Sequence, residues 1–447
     1  LSLGFGVRRS IQHPKETRVK RIRLLVSIAL VASFTSLSAV FASPATDLFR
    51  EASFYLDFYY FGFSQTKPKD LIAKYQPQLE AACKATGDAC PYEVARGIIE
   101  RMIGDLDDGH TYLLSPDAYA RTQGADNAPV SPTYGISLPT INARGEALIT
   151  DVRTGSAAEE AGLLPWDRIT SVNGEKLQPT TDARAALEAF RNKIRVDTPV
   201  KFGIARGEVT KPTTFEVTMQ RRINRTPALP YLYQPASAPK GVFVLRIPDF
   251  GTYNRVGPRV HELVKQAQAK NATAIIVDLE DNPGGELKEC TTAVGAFVGD
   301  LELAFLTRFD RQIAYYKAGT VFEEDPQDPR KGYTLPDPAR WTGKVAVLVN
   351  DNSASCSEEF AYNIQRTKRG PVIGETTAGV LNTATTYFPL IDRGAIAVTI
   401  VRAVLPDGTV YPEAVTPDVP VSFDLTKAAN TGRDPLLEKA IETLGLK

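Results

Sequence analysis

Three successive patterns of apolar and polar positions run along the chain. From Asp47 to about Tyr119 apolar residues recur at helical spacing. "FREASFYLDFYYFG" is strongly aromatic, and in "PYEVARGIIERMIGDL" Val94, Ile98, Ile99, Met102, Ile103 and Leu106 fall on one stripe. The stripe stops at "DLDDGHT", where Asp108-Gly109 break the period and leave His110 on a turn. After the polar stretch "TQGADNAPVSPT" the period becomes two. "YGISLPTI", "EALITDVRTG", "DRITSVNG", "VKFGIAR" and "TTFEVTMQR" alternate as strands, interrupted by helical patches in "SAAEEAG" and "DARAALEAFRNK". Pro227, Pro230, Pro235 and Pro239 then predict a semi-rigid linker. From Gly241 apolar runs alternate with helical stripes: strand "GVFVLRIPDF", helix "NRVGPRVHELVKQAQAK", strand "ATAIIVDLEDNPGG" and helix "ELKECTTAVGAFVG". An irregular insertion is expected up to about Trp341, followed by the strand and helix of "VAVLVNDNSASCSEEFAYNIQ". Strand–helix alternation with apolar strands predicts an α/β layer. The expected fold class is multidomain α/β: a helical region 43–126, a β unit 127–224, and 225–447 as linker and α/β core.

Composition changes this picture first at the N-terminus. Arg8, Arg9, Arg18, Lys20, Arg21 and Arg23 precede an apolar run, Leu24 to Ala42, that is broken by serines and ends in "AVFAS". Residues 1–42 therefore read as a secretory signal peptide, with an uncleaved anchor as the alternative. Export to the periplasm, the cell envelope or the medium is expected. The whole chain balances 52 basic against 52 acidic residues. Without the basic leader it is acidic and lacks basic clusters, which argues against a nucleic-acid partner. Cys83 and Cys90, seven apart in "ACKATGDACP", are placed to close a disulfide in an oxidising compartment. Two histidines remain beyond the leader, His110 and His261, and no second cysteine pair has ligand spacing, so no metal is expected. Cys290 and Cys356 are expected as small buried hydrophobes. His261, inside a helix, is expected to be structural.

The candidate chemistry lies in two turns. Ser353, Ser355 and Ser357 crowd the turn between a β-branched run and a helix. With Glu358, "SCSE" is a capping box, yet the same turn is where a hydrolase can hold a nucleophile. Gly284-Gly285 end a buried strand. They serve either a tight turn with positive φ or the close approach of a carbonyl oxygen to backbone N–H groups.

Together and in order, "AIIVDLEDNPGGELKE", "VAVLVNDNSASCSEEF", "GDLDDGHT", "VTPDVPV" and "GSAAEEAGLLPWDRITSVNGEKL" resemble the tail-specific, or C-terminal processing, serine proteases over roughly residues 90 to 425. The resemblance implies a PDZ-like domain and a crotonase/ClpP-like ββα catalytic core. It also implies Ser355 as nucleophile, with the amides of Gly285 and Cys356 as the oxyanion hole. Many members carry a lysine base in "G-E-x-T-x-G-K". Here "GETTAGV" puts Val380 at that position, and valine accepts no proton. The chain is more similar to the tricorn-core-like branch, whose Ser–His–Glu triad maps onto Ser355, His110 and Glu413, with Asp418 and Glu375 as alternative acids. Tyr134, Gly135, Ile136, Ser137 and Leu138 stand where a PDZ loop and strand capture a peptide tail. Trp166 departs from the family, where glycine usually precedes Asp167, and an altered turn is expected. The implied function is a cofactor-free serine endopeptidase acting on exported or envelope proteins at or near accessible C-terminal tails. Alternatives are an inactive peptide-binding scaffold of the same fold, or an acyl-transfer enzyme using the oxyanion hole. With the base and the nucleophile in different regions, domain movement is expected to assemble or disrupt the site.

Overall fold

The structure is a computed structural model that describes residues 43–123, 131–323 and 332–446. The signal peptide expected at 1–42 and the expected boundary at 126/127 lie outside these residues. Three helices open the described chain: α1 (Pro44–Tyr59), α2 (Pro68–Cys83) and α3 (Tyr92–Gly104). Ser43 caps α1, accepting from the Thr46 N–H at 3.2 Å, and Pro44 fills the first helical position, where a missing N–H costs nothing. The predicted stripe buries Ile98, Ile99, Met102, Ile103 and Leu106 against Leu48, Phe49 and Leu56 of α1. The Cys83–Cys90 disulfide closes the loop between α2 and α3, as the spacing predicts.

A short strand, β1 (Tyr112–Leu114), and helix α4 (Pro116–Thr122) follow. An inserted β unit then contains β2 (Ile136–Ser137), β3 (Ala147–Leu148), β4 (Asp151–Val152), α5 (Ala157–Glu160), β5 (Arg168–Val172), β6 (Glu175–Lys176), α6 (Ala183–Ile194), β7 (Val200–Arg206) and β8 (Thr213–Met219). Its strands are those the alternation predicts, and its core is Tyr134, Ile149, Ile169, Phe190, Phe202 and their neighbours. The unit begins and ends side by side: Thr133 and Arg222 exchange N–H···O bonds of 2.9 and 3.1 Å.

The remainder is built on two sheets. The first has strand order β20-β17-β16-β11-β10-β9, from β9 (Tyr231–Tyr233), β10 (Val242–Arg246), β11 (Ala274–Asp278), β16 (Lys344–Val349), β17 (Val372–Gly374) and β20 (Val419–Pro420). All its pairings are parallel except that of β9. Helices α7 (Val256–Ala269), α8 (Leu287–Val298) and α9 (Cys356–Arg366) cover one face, and α11 (Pro435–Thr443), after α10 (Leu425–Thr431), covers the other. This sandwiching is why "AIIV" and "VAVLV" are apolar without alternation. The second sheet is antiparallel. It comprises β12 (Leu301–Thr307), β13 (Arg311–Lys317), β14 (Thr320–Glu323), β15 (Gly332–Thr334), β18 (Thr383–Pro389) and β19 (Ala395–Val404), with β1 on its edge.

Two expectations are corrected here, and the attachment of the helical region is seen. The stretch before Trp341 is a regular antiparallel meander rather than an irregular insertion. "LELAFLT" and "RQIAYYK" pair as β12 and β13 and carry the alternation of a half-buried sheet. The proline-rich segment, expected as a semi-rigid linker, contains a sheet strand: β9 pairs with β10, and the Tyr231 hydroxyl donates to Asp151 at 2.7 Å. The helical region is joined to the core by a strand pairing and an ion pair. Tyr112–Leu114 pair antiparallel with Ala395–Ala397, and Arg96 of α3 forms a largely buried ion pair of 2.6 Å with Asp392. The segment bearing His110 is thereby mounted on the core sheet.

Trp166 is also resolved. Its φ of +72° is the left-handed conformation that glycine adopts without strain. The indole meets Phe423 edge-on at 6.5 Å, packing the inserted unit against the C-terminal segment. The backbone strain, about 1–2 kcal/mol, is thus accompanied by a docking contact that glycine lacks.

Candidate active site

The three serines of the opening turn of α9 have different fates. Ser353 and Ser357 are fully buried, and their hydroxyls donate at 2.8 Å to the carbonyls of Leu279 and Asn282. Both are structural pins between the β16–α9 and β11–α8 connections. Ser355 is partly exposed, with φ +55° and ψ −114°. Ser43, Ser115 and Ser156, which cap other helices, have the extended backbone usual for that role. Ser355 instead sits on a sharp strand-to-helix elbow, a strained conformation costing about 1–3 kcal/mol that concentrates at active sites.

Glu358 holds this elbow. Its buried carboxylate accepts four hydrogen bonds, from the Ser355 N–H (2.7 Å), the Thr377 hydroxyl (2.7 Å), the Gly379 N–H (3.0 Å) and the Val380 N–H (3.1 Å). Burial pushes its pKa above the ordinary carboxylate value while these donors pull it back. The capping glutamate read from the sequence therefore does more than return to its own helix, since it ties the elbow to the "TTAGV" loop.

Across the turn lies Gly284-Gly285. Gly284 has φ +92°, and a Cβ there would stand 2.7 Å from the Ala354 carbonyl and 2.8 Å from the Ser355 Cβ, so only glycine allows the two turns to touch. Asn282, wholly buried, organises the contact. Its amide donates to Ile247 O (2.8 Å), its side-chain oxygen accepts from Gly284 N–H (2.9 Å), and its carbonyl accepts from Ala354 N–H (3.0 Å). Among the described residues the N–H groups of Gly285 and Cys356 meet no acceptor. Cys356 is the first residue of α9, so its amide also lies at the positive end of that helix. Two vacant donors flanking a partly exposed serine form the arrangement that binds an oxyanion.

Contrary to expectation, Cys290 and Cys356 are not free hydrophobes. They form a disulfide, Cα–Cα 5.6 Å, between α8 and α9. Both are buried, as the apolar reading requires, but the fold brings their positions together across 66 residues.

His110 is buried, and its N–H donates to Asp108 Oδ1 at 2.9 Å. Asp108 is itself held by Tyr60 (2.7 Å) and Thr399 (2.8 Å). Loss of solvent pushes the imidazole pKa down to about 4, against a smaller upward pull from Asp108. The ring is thus neutral near pH 7, with a lone pair available. Nδ1 lies 2.7 Å from the Thr383 hydroxyl, whose own proton is directed at the Val380 carbonyl (3.5 Å). In the tautomer with the proton on Nδ1, Thr383 accepts that proton and Nε2 is the basic nitrogen. Thr383 had no signal in the sequence. Val380 borders the same place: a Cβ on Gly109 would lie 3.0 Å from its Cγ1. The position that holds lysine in the family motif thus abuts the residue before His110.

Among the described residues no hydrogen bond joins Ser355 to His110 or His110 to Glu413. Glu413 is exposed beside Gly379, and its carbonyl accepts from Leu381 N–H at 2.9 Å, in the loop leading to Thr383. The alternative acids are engaged elsewhere, Asp418 by Val372 N–H and Gln365, and Glu375 by Phe423 N–H. His261 bonds Thr292 O and Ala339 N–H inside the core, which makes it structural, as expected.

In the inserted unit Tyr134 is buried, with its hydroxyl on the Ile194 carbonyl (3.0 Å), and Gly135 N–H donates to Thr133. Gly135 O and Ser137 O accept from the N–H groups of Arg153 and Thr150, which flank β4, so Ile136 and Leu138 turn their backbone groups the other way, toward α6. Arg191 of α6 donates to the Leu138 carbonyl at 2.6 Å. Among the described residues no cluster of histidine, cysteine and acidic side chains could hold a metal.

Residues 241–421 match peptidase family S41, and residues 148–197 match the PDZ domain. The chain is 29% identical over 311 residues to a carboxyl-terminal-processing protease of Synechocystis sp., covering 68% of this chain and 65% of that protein. It is 24% identical over 367 residues to the carboxy-terminal processing protease CtpA of Bacillus subtilis, covering 78% of this chain and 72% of that one. The chain thus spans just under two thirds of the Synechocystis protein's length. A solved S41-class structure from Bacteroides fragilis aligns with 78% of this chain and 90% of its own, at 16% identity and a TM-score of 0.50, a likeness of fold.

Proposed function

For a chain that carries a peptidase family S41 core and a PDZ domain, we propose a serine endopeptidase that cleaves exported or envelope proteins at or near their C-terminal tails. The observation that supports this best is the Ser355 elbow, a strained, partly exposed hydroxyl between the two unoccupied amides of Gly285 and Cys356. In the proposed reaction His110 Nε2 takes the Ser355 proton as Oγ bonds the peptide carbonyl carbon. The carbonyl oxygen becomes an anion on the Gly285 and Cys356 amides. His110 then returns the proton to the leaving amine as the C–N bond breaks, and water, deprotonated in turn by His110, releases the acyl group and restores the serine. Glu413 is proposed as the third member, stabilising the imidazolium when substrate closes the loop that Glu413 shares with Thr383. The tail adds as a strand beside Ile136–Leu138. An oxidising, exported location agrees with two disulfides in a chain without free cysteines among its described residues.

Labelling with a fluorophosphonate probe tests the reading. Wild type is expected to label, Ser355→Ala to lose the signal, and His110→Ala to label about 100-fold or more slowly. Equal labelling of all three would remove the Ser–His assignment. A wild type that stays unlabelled with a tail peptide present would favour the inactive peptide-binding scaffold.

A further inference from the structure

We infer that Cys290 is a positioning residue for this reaction: its bond to Cys356 fixes the spacing of the two oxyanion donors, and the site reaches full power only with that bond formed. The inference rests on the proposed peptidase chemistry. Cys356 directly follows Ser355 and carries one of the two free amides. Cys290 lies in the first turn of α8, the helix launched by Gly284-Gly285, which carries the other. The disulfide therefore closes a ring running from one donor through α8, the sulfur bridge and back to the second donor. The hydrogen bonds between these turns all lie on the β11 side of Gly284: the Ser353 hydroxyl on the Leu279 carbonyl, Asp281 with Asn350 and Asn352, and Asn282, which receives Ala354 N–H and the Ser357 hydroxyl. Glu358 pulls the Ser355 amide in a different direction, toward Gly379 and Val380. On the α8 side of Gly285, where backbone bonds run to Phe250 and α8 meets α9 through apolar packing such as Phe297 on Phe360, the bridge is the covalent tether to α9, with the Cys356 sulfur packed 3.3 Å from the Glu286 carbonyl. An oxyanion forms bonds of about 2.7–3.1 Å to both donors at once, so sub-ångström drift of one amide costs rate without abolishing binding.

Opening the bridge with a dithiol transfers two electrons and two protons to the protein, leaving two thiols and an oxidised dithiol. A chain made with reduced thiols is therefore a weak peptidase that gains activity once exported to an oxidising compartment. Substrate tails are held by the separate PDZ domain, so the loss falls on kcat and not on KM.

The experiment uses the full chain and a tail-bearing peptide substrate. Cys290→Ala is expected to lower kcat about 10- to 100-fold, with KM within about twofold of wild type and slower fluorophosphonate labelling. Dithiothreitol should bring wild type to the same level, and reoxidation should restore it. Dithiothreitol should leave Cys290→Ala/Cys356→Ala unchanged, and a Cys83→Ser/Cys90→Ser chain should keep the wild-type response, separating the two disulfides. If the alanine variants do not fold, reduced wild type with an unchanged circular dichroism spectrum provides the comparison. A wild-type kcat in reduced protein or in Cys290→Ala overturns the inference, as does a rise in KM that accounts for the whole loss. Those results leave the peptidase reading standing. An oxidised wild type that neither labels nor cleaves defeats that reading instead.

Discussion

His110 and Thr383 set how the site responds to pH. A histidine in water titrates near 6.5, and here burial lowers the value to about 4. Between those values the unfolded chain binds the proton and the folded one does not. This residue's contribution to stability is therefore fully present above pH 6.5 and is lost as pH falls from 6.5 toward 4, by about 3 kcal/mol at most. For the same reason the acid limb of kcat/KM in the free enzyme should fall near pH 4 rather than 6.5, and a limb near 6.5 would contradict the buried, neutral base. Thr383→Val removes the acceptor for Nδ1–H. It should cost about 1–3 kcal/mol of transition-state stabilisation, read as a roughly 5- to 150-fold drop in kcat with little change in KM, and Thr383→Ser should recover most of it. At this scale the sequence disclosed residue types in motifs. Ser355 stood out through "SASCSE" and His110 through scarcity, because two histidines follow the leader. Thr383 was invisible, being an ordinary threonine 273 positions from the ring it orients, where only the fold makes them neighbours.

Among the elements, the groove between β2 and α6 is where the proposed tail binding would be decided. Strand addition needs the outward backbone groups of Ile136 and Leu138, and one of them, the Leu138 carbonyl, is already taken by Arg191. An incoming tail must displace that guanidinium. Arg191→Ala should therefore tighten tail binding by up to about fivefold, roughly 1 kcal/mol, as measured by fluorescence polarisation with a labelled tail peptide. Weaker binding would mean that Arg191 contacts the tail itself. Periodicity disclosed most helices and strands because their buried faces repeat at 3.6 or 2 residues. It failed at the meander before Trp341, where strands of three to seven residues separated by polar turns look like loop. It failed again at β9, three residues hidden among prolines. The bridge between α8 and α9 was equally hidden, since spacing says nothing about which helices lie side by side.

For the whole molecule, the blocks recognisable in the sequence give the domain list but not the way the domains are joined. Pairing of β1 with β19 makes the first helices and the last sheet one body, so the residue expected to ride on a separate region is fixed to the core. The PDZ domain interrupts that body, and the chain leaves and returns at Thr133 and Arg222, which are paired backbone to backbone. Topologically the domain is a cassette. Its ends are already a turn's width apart, so replacing the segment between them with a short turn need not pull on β1 or on the Ser355 elbow. Such a shortened chain should fold, bind fluorophosphonate at Ser355 and lose preference for tail-bearing peptides. Failure to fold would show that the contacts made by Trp166 and Tyr231 support the core as well as the domain. If the proposed peptidase reading holds, a body that can close over the gap left by its inserted unit is one whose substrate choice can be exchanged without rebuilding its chemistry.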